Sequence, residues 1–225
     1  MKFRSAAPLA CGTMLAAALC MGAQTPSPPP APGMTTEQWL AKFQTAWDAT
    51  NTYTATITAH EVLNGKTQDR VYAIWFQKPT NVRVDVTDGD GKGSVAVWQG
   101  GDRVRGHQGG WLSMIKLNLD IHARLATTMR GTTIVQSYFG YFLDHVKTLK
   151  YKSTDVTVNG DTATLTAVPE DPAQDEGYVK EVLTLGANGL PVELDMYDAS
   201  NNVVKTNAYT NVKLNVDVPA STWQI

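Results

Sequence analysis

Val71-Tyr72-Ala73-Ile74-Trp75-Phe76-Gln77-Lys78-Pro79-Thr80-Asn81-Val82-Arg83-Val84-Asp85-Val86 is the stretch on which the fold turns. Side chains alternate across a strand, so Val71, Ala73 and Trp75 share one face, and Tyr72, Ile74 and Phe76 the other. Both sets are apolar, which predicts a strand covered on both faces. After Pro79, Val82, Val84 and Val86 alternate with Arg83, Asp85 and Thr87, the pattern of a strand wet on one side. Pro79 offers no N–H to a ladder, so a corner is expected between the two halves.

Working outward, Asn64-Gly65 is a hairpin signal joining this strand to a Thr-rich alternating run, Tyr53–Leu63. Downstream, Asp88–Gly93, Gly100-Gly101-Asp102 and Gln108-Gly109-Gly110 punctuate short strands at Ser94–Trp98 and Arg103–His107, with an apolar mixed run at Trp111–Leu119. Strands at this spacing predict an antiparallel meander. The pattern breaks at Asp120–Met129, which predicts a short helix, and at Thr132–Leu149, which predicts a longer one with a broad aromatic face. Strands return at Val156–Val158, Thr162–Ala167, Val179–Leu185, Val192–Tyr197 and Val203–Leu214, with Pro169–Gly177 read as an acidic loop. About ten strands are expected in one strongly twisted sheet, which tends to curl. Ahead of them, Thr35 and Gln38 form a capping-box pattern. The helix they start places Trp39, Phe43 and Trp47 on one stripe, to pack on the sheet.

The first residues, Met1-Lys2-Phe3-Arg4 followed by apolar Ala6–Leu19, read as a secretory signal over residues 1–23. Residues 24–34 read as a Pro-rich linker, and residues 35–225 as a single domain. Cys11 and Cys20, the only cysteines, lie in the leader. The mature part then has no disulfide and no thiol chemistry. Leu19 before Cys20 fits a lipidation box poorly, so plain secretion is favoured over an anchored form. The whole chain carries a net charge of −2. That argues against nucleic acid as a partner.

No motif for catalysis or metal binding stands out. His60, His107, His122 and His145 include no i, i+4 pair, and no H-E-x-x-H, G-x-S-x-G or phosphate loop occurs. The expectation is no enzyme, no catalytic residue, no metal and no cofactor.

Trp75-Phe76-Gln77-Lys78-Pro79-Thr80-Asn81, Trp98-Gln99-Gly100-Gly101-Asp102, Gly186–Pro191 with the strand after it, and Tyr209–Asn215 occur in that order. Together they resemble the LolA-type outer-membrane lipoprotein carriers, or lipoprotein-sorting proteins, over residues 35–219. Two positions differ from the family pattern. Lys78 stands where the carriers have an Arg that helps hold the lid helices closed, and it lacks the planar fork of Arg. Val218 stands where the family has a Phe.

The resemblance implies an unclosed antiparallel β-barrel covered by helices, with an apolar cavity for acyl chains. It implies a periplasmic carrier that binds lipoprotein acyl chains or lipid and moves them from an inner-membrane donor toward an outer-membrane acceptor. The alternative is a sensory or regulatory module of the same fold. Burying acyl chain gains about 0.8 kcal/mol per CH₂, so release needs a competitor for the cavity. Tyr138, Phe139, Tyr141 and Phe142 are the candidates for a lid that fills it. Trp75, Phe76, Trp98, Trp111 and Met114 are the candidates for its wall, and Lys78 for lid control.

Overall fold

The computed structural model describes residues 34–225; the expected signal and nearly all of the linker lie outside the described residues. Helix α1 (Thr36–Asp48) begins as its sequence demands. The Thr35 side chain accepts from the Gln38 N–H, and the Gln38 side chain accepts from the Thr35 N–H. Eleven strands follow: β1 (Thr52–Leu63), β2 (Lys66–Gln77), β3 (Asn81–Gly89), β4 (Val95–Gln99), β5 (Arg103–His107), β6 (Leu117–Asp120), β7 (Tyr151–Asn159), β8 (Thr162–Pro169), β9 (Lys180–Leu185), β10 (Pro191–Tyr197) and β11 (Val203–Leu214). Helix α2 (Phe139–Thr148) lies between β6 and β7.

The strands form one antiparallel sheet in the order β6-β5-β4-β3-β2-β1-β11-β10-β9-β8-β7. The first strand pairs with the last, with Ile57 opposite Tyr209 and Glu61 opposite Lys205. That places β1 at the centre. Strands β6 and β7, neighbours in sequence, lie at opposite edges and do not pair, so the sheet is an unclosed barrel. The chain from 121 to 150 must therefore cross from one edge to the other.

Alternation decides which side chains meet that crossing. Tyr53, Ala55, Ile57 and Ala59 of β1 are buried on one face. Their cross-strand partners there are Phe76, Ile74, Tyr72 and Arg70 of β2. Helix α1 and the crossing segment both pack on this inner face: Trp47 and Tyr138 each lie 5.1 Å from the Phe76 ring.

The opposite face of β2–β5 has a different cover. The 3-10 turn Ala220–Trp223 docks there, with Trp223 Nε1 donating to Gln77 Oε1 at 3.1 Å. Arg83 donates to the Thr222 and Gln224 carbonyls and to both Asp85 carboxylate oxygens. Both faces of Val71–Phe76 are thus covered as expected, but one cover is the C-terminal turn, after the residues that carry the sheet pattern, and that turn also partly covers Arg83 and Asp85 on the face expected to be wet.

Three elements depart from expectation. The segment Thr132–Leu149 is not one helix: a 3-10 turn, Ile134–Ser137, is followed by extended Tyr138 (φ −104°, ψ 154°), which starts α2. The break aims Tyr138 at Phe76 and Trp98, and Phe139 at Tyr53. The short helix expected at Asp120–Met129 is only the 3-10 turn Arg124–Ala126. The acidic loop holds the 3-10 turn Pro172–Asp175, and Asp175 is buried.

Candidate functional site

An aromatic stack runs across the middle of the inner face. Phe139, fully buried, lies against Tyr53 at 4.6 Å with rings 10° from parallel, and Tyr53 stacks on Phe76 at 5.2 Å. Phe139 and Phe142 both meet Tyr209 edge-on. Tyr53 Oη accepts from the Phe139 N–H at 3.3 Å, fastening the start of α2 to the central strand. Burial pushes the Tyr53 and Tyr209 hydroxyls well above their ordinary pKa, so both stay neutral. Gly140 lets the two helices meet: a Cβ there would lie 2.5 Å from Trp47 Cζ2.

Two cavities lie on the inner face. The larger, about 490 Å³, lies on the β1–β6 side with a wall from β11. Its apolar floor includes Ile57, Val84, Val86, Val104 and Leu119, and residues 124–128, 132–134, 136 and 137 of the crossing segment border it. That volume falls in the range of small-molecule sites. Leu125, on its border, is 63% exposed. The smaller, about 230 Å³, lies on the β7–β10 side and is lined by Leu40, Tyr141, Phe142, Leu165 and Leu183 among others. Gln136 and Lys205 line both.

At the β1–β11 end the inner face turns polar. Glu61 accepts from Thr128 Oγ1 (2.8 Å), Thr132 Oγ1 (3.2 Å) and the Arg130 N–H (3.2 Å). Lys205 Nζ, on a buried residue, donates to Thr132 Oγ1 at 2.8 Å. Arg130 donates to Tyr178 Oη and to the Val62 carbonyl.

Beside the smaller cavity, His145 of α2 places Nε2 2.9 Å from Glu181 Oε1 and 3.3 Å from Asp175 Oδ1. Tyr151 Oη donates to the other Glu181 oxygen at 2.8 Å. Burial pulls the imidazole down, but hydrogen bonds and charges from the two carboxylates outweigh it and hold the His145 pKa at about 10. Burial pushes Asp175 up to about 6, opposed by its bond with His145. One donor atom from each of the three residues lies within 4.8 Å of the others, a spacing that would also suit a metal ion. In this arrangement the imidazolium supplies the positive charge between the carboxylates and ties α2 to β9. The i, i+4 spacing rule misses the cluster because its members come from three separate elements.

The candidates read from sequence divide. Phe76, Trp98 and Phe139 are buried in or beside the aromatic stack, and Tyr138 is half-buried against Phe76. Tyr141 and Phe142 line the smaller cavity. Trp75 points to the opposite face, where Arg83 lies 5.8 Å from its ring, because it alternates with Phe76. Trp111 and Met114 are 82% and 87% exposed on the 3-10 turn Gly110–Met114. None of these three borders either cavity. Lys78 Nζ donates to the carbonyls of Trp47 (2.7 Å) and Asp48 (3.2 Å), and lies 4.7 Å from the Trp47 ring. It caps the C-terminus of α1, where a cation is favoured, and reaches the crossing segment only through Trp47.

No family model and no curated protein sequence matches the chain. Among solved structures, an uncharacterized conserved protein from Thermus thermophilus is similar. It has a TM-score of 0.52 and 10% identity over 84% of this chain and 92% of that one. A DUF1329 family protein from Desulfovibrio piger gives 0.46, with 13% identity over 83% and 94% of the two chains. A LolA superfamily protein from Nitrosomonas europaea gives 0.43, with 13% identity over 86% and 99%. The Thermus structure shares the fold alone. The unclosed antiparallel sheet, crossed on one face by a helical insertion, is the architecture that the resemblance to LolA-type carriers implies.

Proposed function

We propose that this protein is a periplasmic carrier that holds an acyl chain of a lipid or lipoprotein in its larger cavity. On this reading it takes the chain from an inner-membrane donor, gives it to an outer-membrane acceptor, and catalyses no reaction. The observation that carries the reading is the apolar-floored space of about 490 Å³ beneath the crossing segment. A well-packed sheet-and-helix core leaves few voids larger than a water molecule, so a space this size in the fold is a binding feature. The aromatic stack serves as a partition. When Tyr138, Phe139 and Phe142 shift, the two cavities join and a longer chain fits, and their return expels it. Lys78 acts on this movement by holding the end of α1 that carries Trp47.

The test is to extract the purified protein with organic solvent, identify released lipid by mass spectrometry, and titrate the delipidated protein with a fluorescent acyl probe. Bound lipid, or saturable probe binding at one site, supports the carrier reading. Failure of both overturns it.

A further inference from the structure

We propose that the larger cavity selects acyl chains bearing an anionic headgroup, a carboxylate or a phosphate, which Lys205 and Arg70 hold. The proposal rests on the carrier reading and narrows its ligand. The protein as a whole is slightly acidic, yet the cavity is not. Arg70, Lys92, Arg105, Arg124 and Lys205 line it against a single carboxylate, Glu61.

Four of these cations have no ion pair among the described residues: Arg105 and Arg124, which are exposed to solvent, and Arg70 and Lys205, which are not. Glu61 is already engaged by three donors. Lys205, only 4% exposed, has one neutral partner, Thr132, and no carboxylate oxygen within 4.0 Å among the described residues. Arg70 likewise has no carboxylate that close. It donates to Tyr72 Oη at 3.4 Å, and its buried Nε has no hydrogen-bond partner among the described residues. By contrast, Lys92 pairs with Asp88, and Arg105 donates to Gln99 and to the Trp223 carbonyl.

A buried ammonium in no direct ion pair is costly even with Glu61 across Thr132 from it, and an arriving anion offsets part of that cost. Burial lowers the Lys205 pKa, with the charges of Glu176 and Glu61 opposing it; a bound anion would favour the charged form further. Register places the pair around β1: Arg70 lies opposite Ala59 on β2, and Lys205 opposite Glu61 on β11. The apolar floor at Ile57, Val84 and Val104 continues from them toward β5. The site therefore has the order of an acyl anion, with charge at one end and hydrocarbon along the rest.

The test displaces a fluorescent acyl probe from the whole mature protein with three ligands of equal chain length: laurate, dodecyl phosphate and dodecanol. One charge-assisted contact predicts that at least one anion displaces the probe about 10- to 100-fold better than dodecanol. Whichever anion is tighter tells a fatty-acid head from a phospholipid-like one. Lys205→Met should erase most of the preference and leave dodecanol unchanged, and Arg70→Gln should reduce it. Equal displacement by all three in the wild-type protein overturns the headgroup proposal while the carrier reading stands. So does a Lys205→Met variant that weakens all three alike. If the probe itself does not bind, the carrier reading fails instead.

Discussion

Ala96 offers a direct test of whether the larger cavity is space for a ligand. It sits on β4 opposite Val84 of β3 and Gly106 of β5, all three bordering the cavity. Gly106 itself cannot grow, because a Cβ there would lie 2.2 Å from the Val95 carbonyl oxygen. Ala96 can. Ala96→Leu adds three carbons to the floor, and burying them is worth about 0.8 kcal/mol each, or about 2.4 kcal/mol. Ordering the longer side chain costs about 0.5–1 kcal/mol, leaving a gain of about 1.5–2 kcal/mol. For a domain of this size that raises the melting temperature by roughly 3–8 °C. The same three carbons displace about three methylenes of ligand. Acyl-probe affinity should then fall by about 2.4 kcal/mol, or about 50-fold. Thermal melting and probe titration on one preparation read both effects. A lower melting temperature with unchanged affinity would show that Ala96 faces packed protein, and the cavity argument would fail. A higher melting temperature with unchanged affinity would show that the ligand binds elsewhere.

Three further outcomes are expected. Phe139→Ala should destabilise the protein by about 3–5 kcal/mol, as truncation of a buried Phe does. It should also join the two cavities, so urea denaturation shows the loss while the folded variant binds longer acyl chains than the wild type. Lys78→Met should cost about 1–2 kcal/mol by removing two charge-assisted bonds to the end of α1, with faster amide exchange confined to Trp47–Asn51; exchange unchanged there would remove Lys78 from any role at α1. His145, held at about 10 against an ordinary 6.5, binds its proton more tightly when folded. Its stabilisation is therefore complete below about pH 6.5 and is lost as pH rises through about 10. Asp175, raised to about 6, costs stability as it ionises between about pH 4 and pH 6 and adds no slope from pH 7 to pH 10. Denaturant midpoints should fall more steeply from pH 7 to pH 10 in the wild type than in His145→Gln, and parallel slopes would refute the imidazolium assignment.

Much of the sheet is legible because alternation is local. It yields the span Val203–Leu214 as it stands, and Thr35 and Gln38 mark the start of α1. The Trp75 and Phe76 pair shows where such reading stops. Alternation puts them on opposite faces, but with apolar residues on both it does not say which face is the interior. The deciding cover, Trp223, follows Pro219 and belongs to no strand. Hydrophobicity alone marks Trp111 and Met114 as wall residues, yet a five-residue 3-10 turn carries them into solvent. The polar end of the cavity is hidden for the opposite reason. Glu61, Arg70 and Lys205 fall on the inward set of their strands, and a charged residue in a strand is ordinarily read as outward. Counting along each strand from a known core residue, as from Ile57 to Glu61 or Tyr209 to Lys205, exposes them.

The topology also limits how the cover can move. Eleven strands separate the edges by ten inter-strand steps, about 48 Å if the sheet were flat and less when it curls. Thirty residues, 121–150, make the crossing, and ten of them are in α2. Those ten span about 15 Å as helix, and the other twenty could reach about 66 Å extended. The connection is therefore slack, but both ends are tied into the sheet edges by β6 and β7. A cover held at both ends opens by bowing away from the face and cannot swing clear as a hinged flap would. The Tyr53 hydroxyl, the Gly140–Trp47 contact and the His145–Glu181 bond pin it on the α2 side. The stretch 121–127, ahead of the bonds that tie Thr128 and Arg130 to Glu61 and Val62, has only 3-10 and turn structure, with Leu125 exposed at the cavity border. Opening should begin there, and an acyl anion entering beside Leu125 should lead with its headgroup, toward Lys205. A bulky thiol label on a Leu125→Cys variant, at the exposed cavity border, should slow probe entry and exit together and leave equilibrium affinity nearly unchanged. A change in affinity with unchanged rates would place the entrance elsewhere.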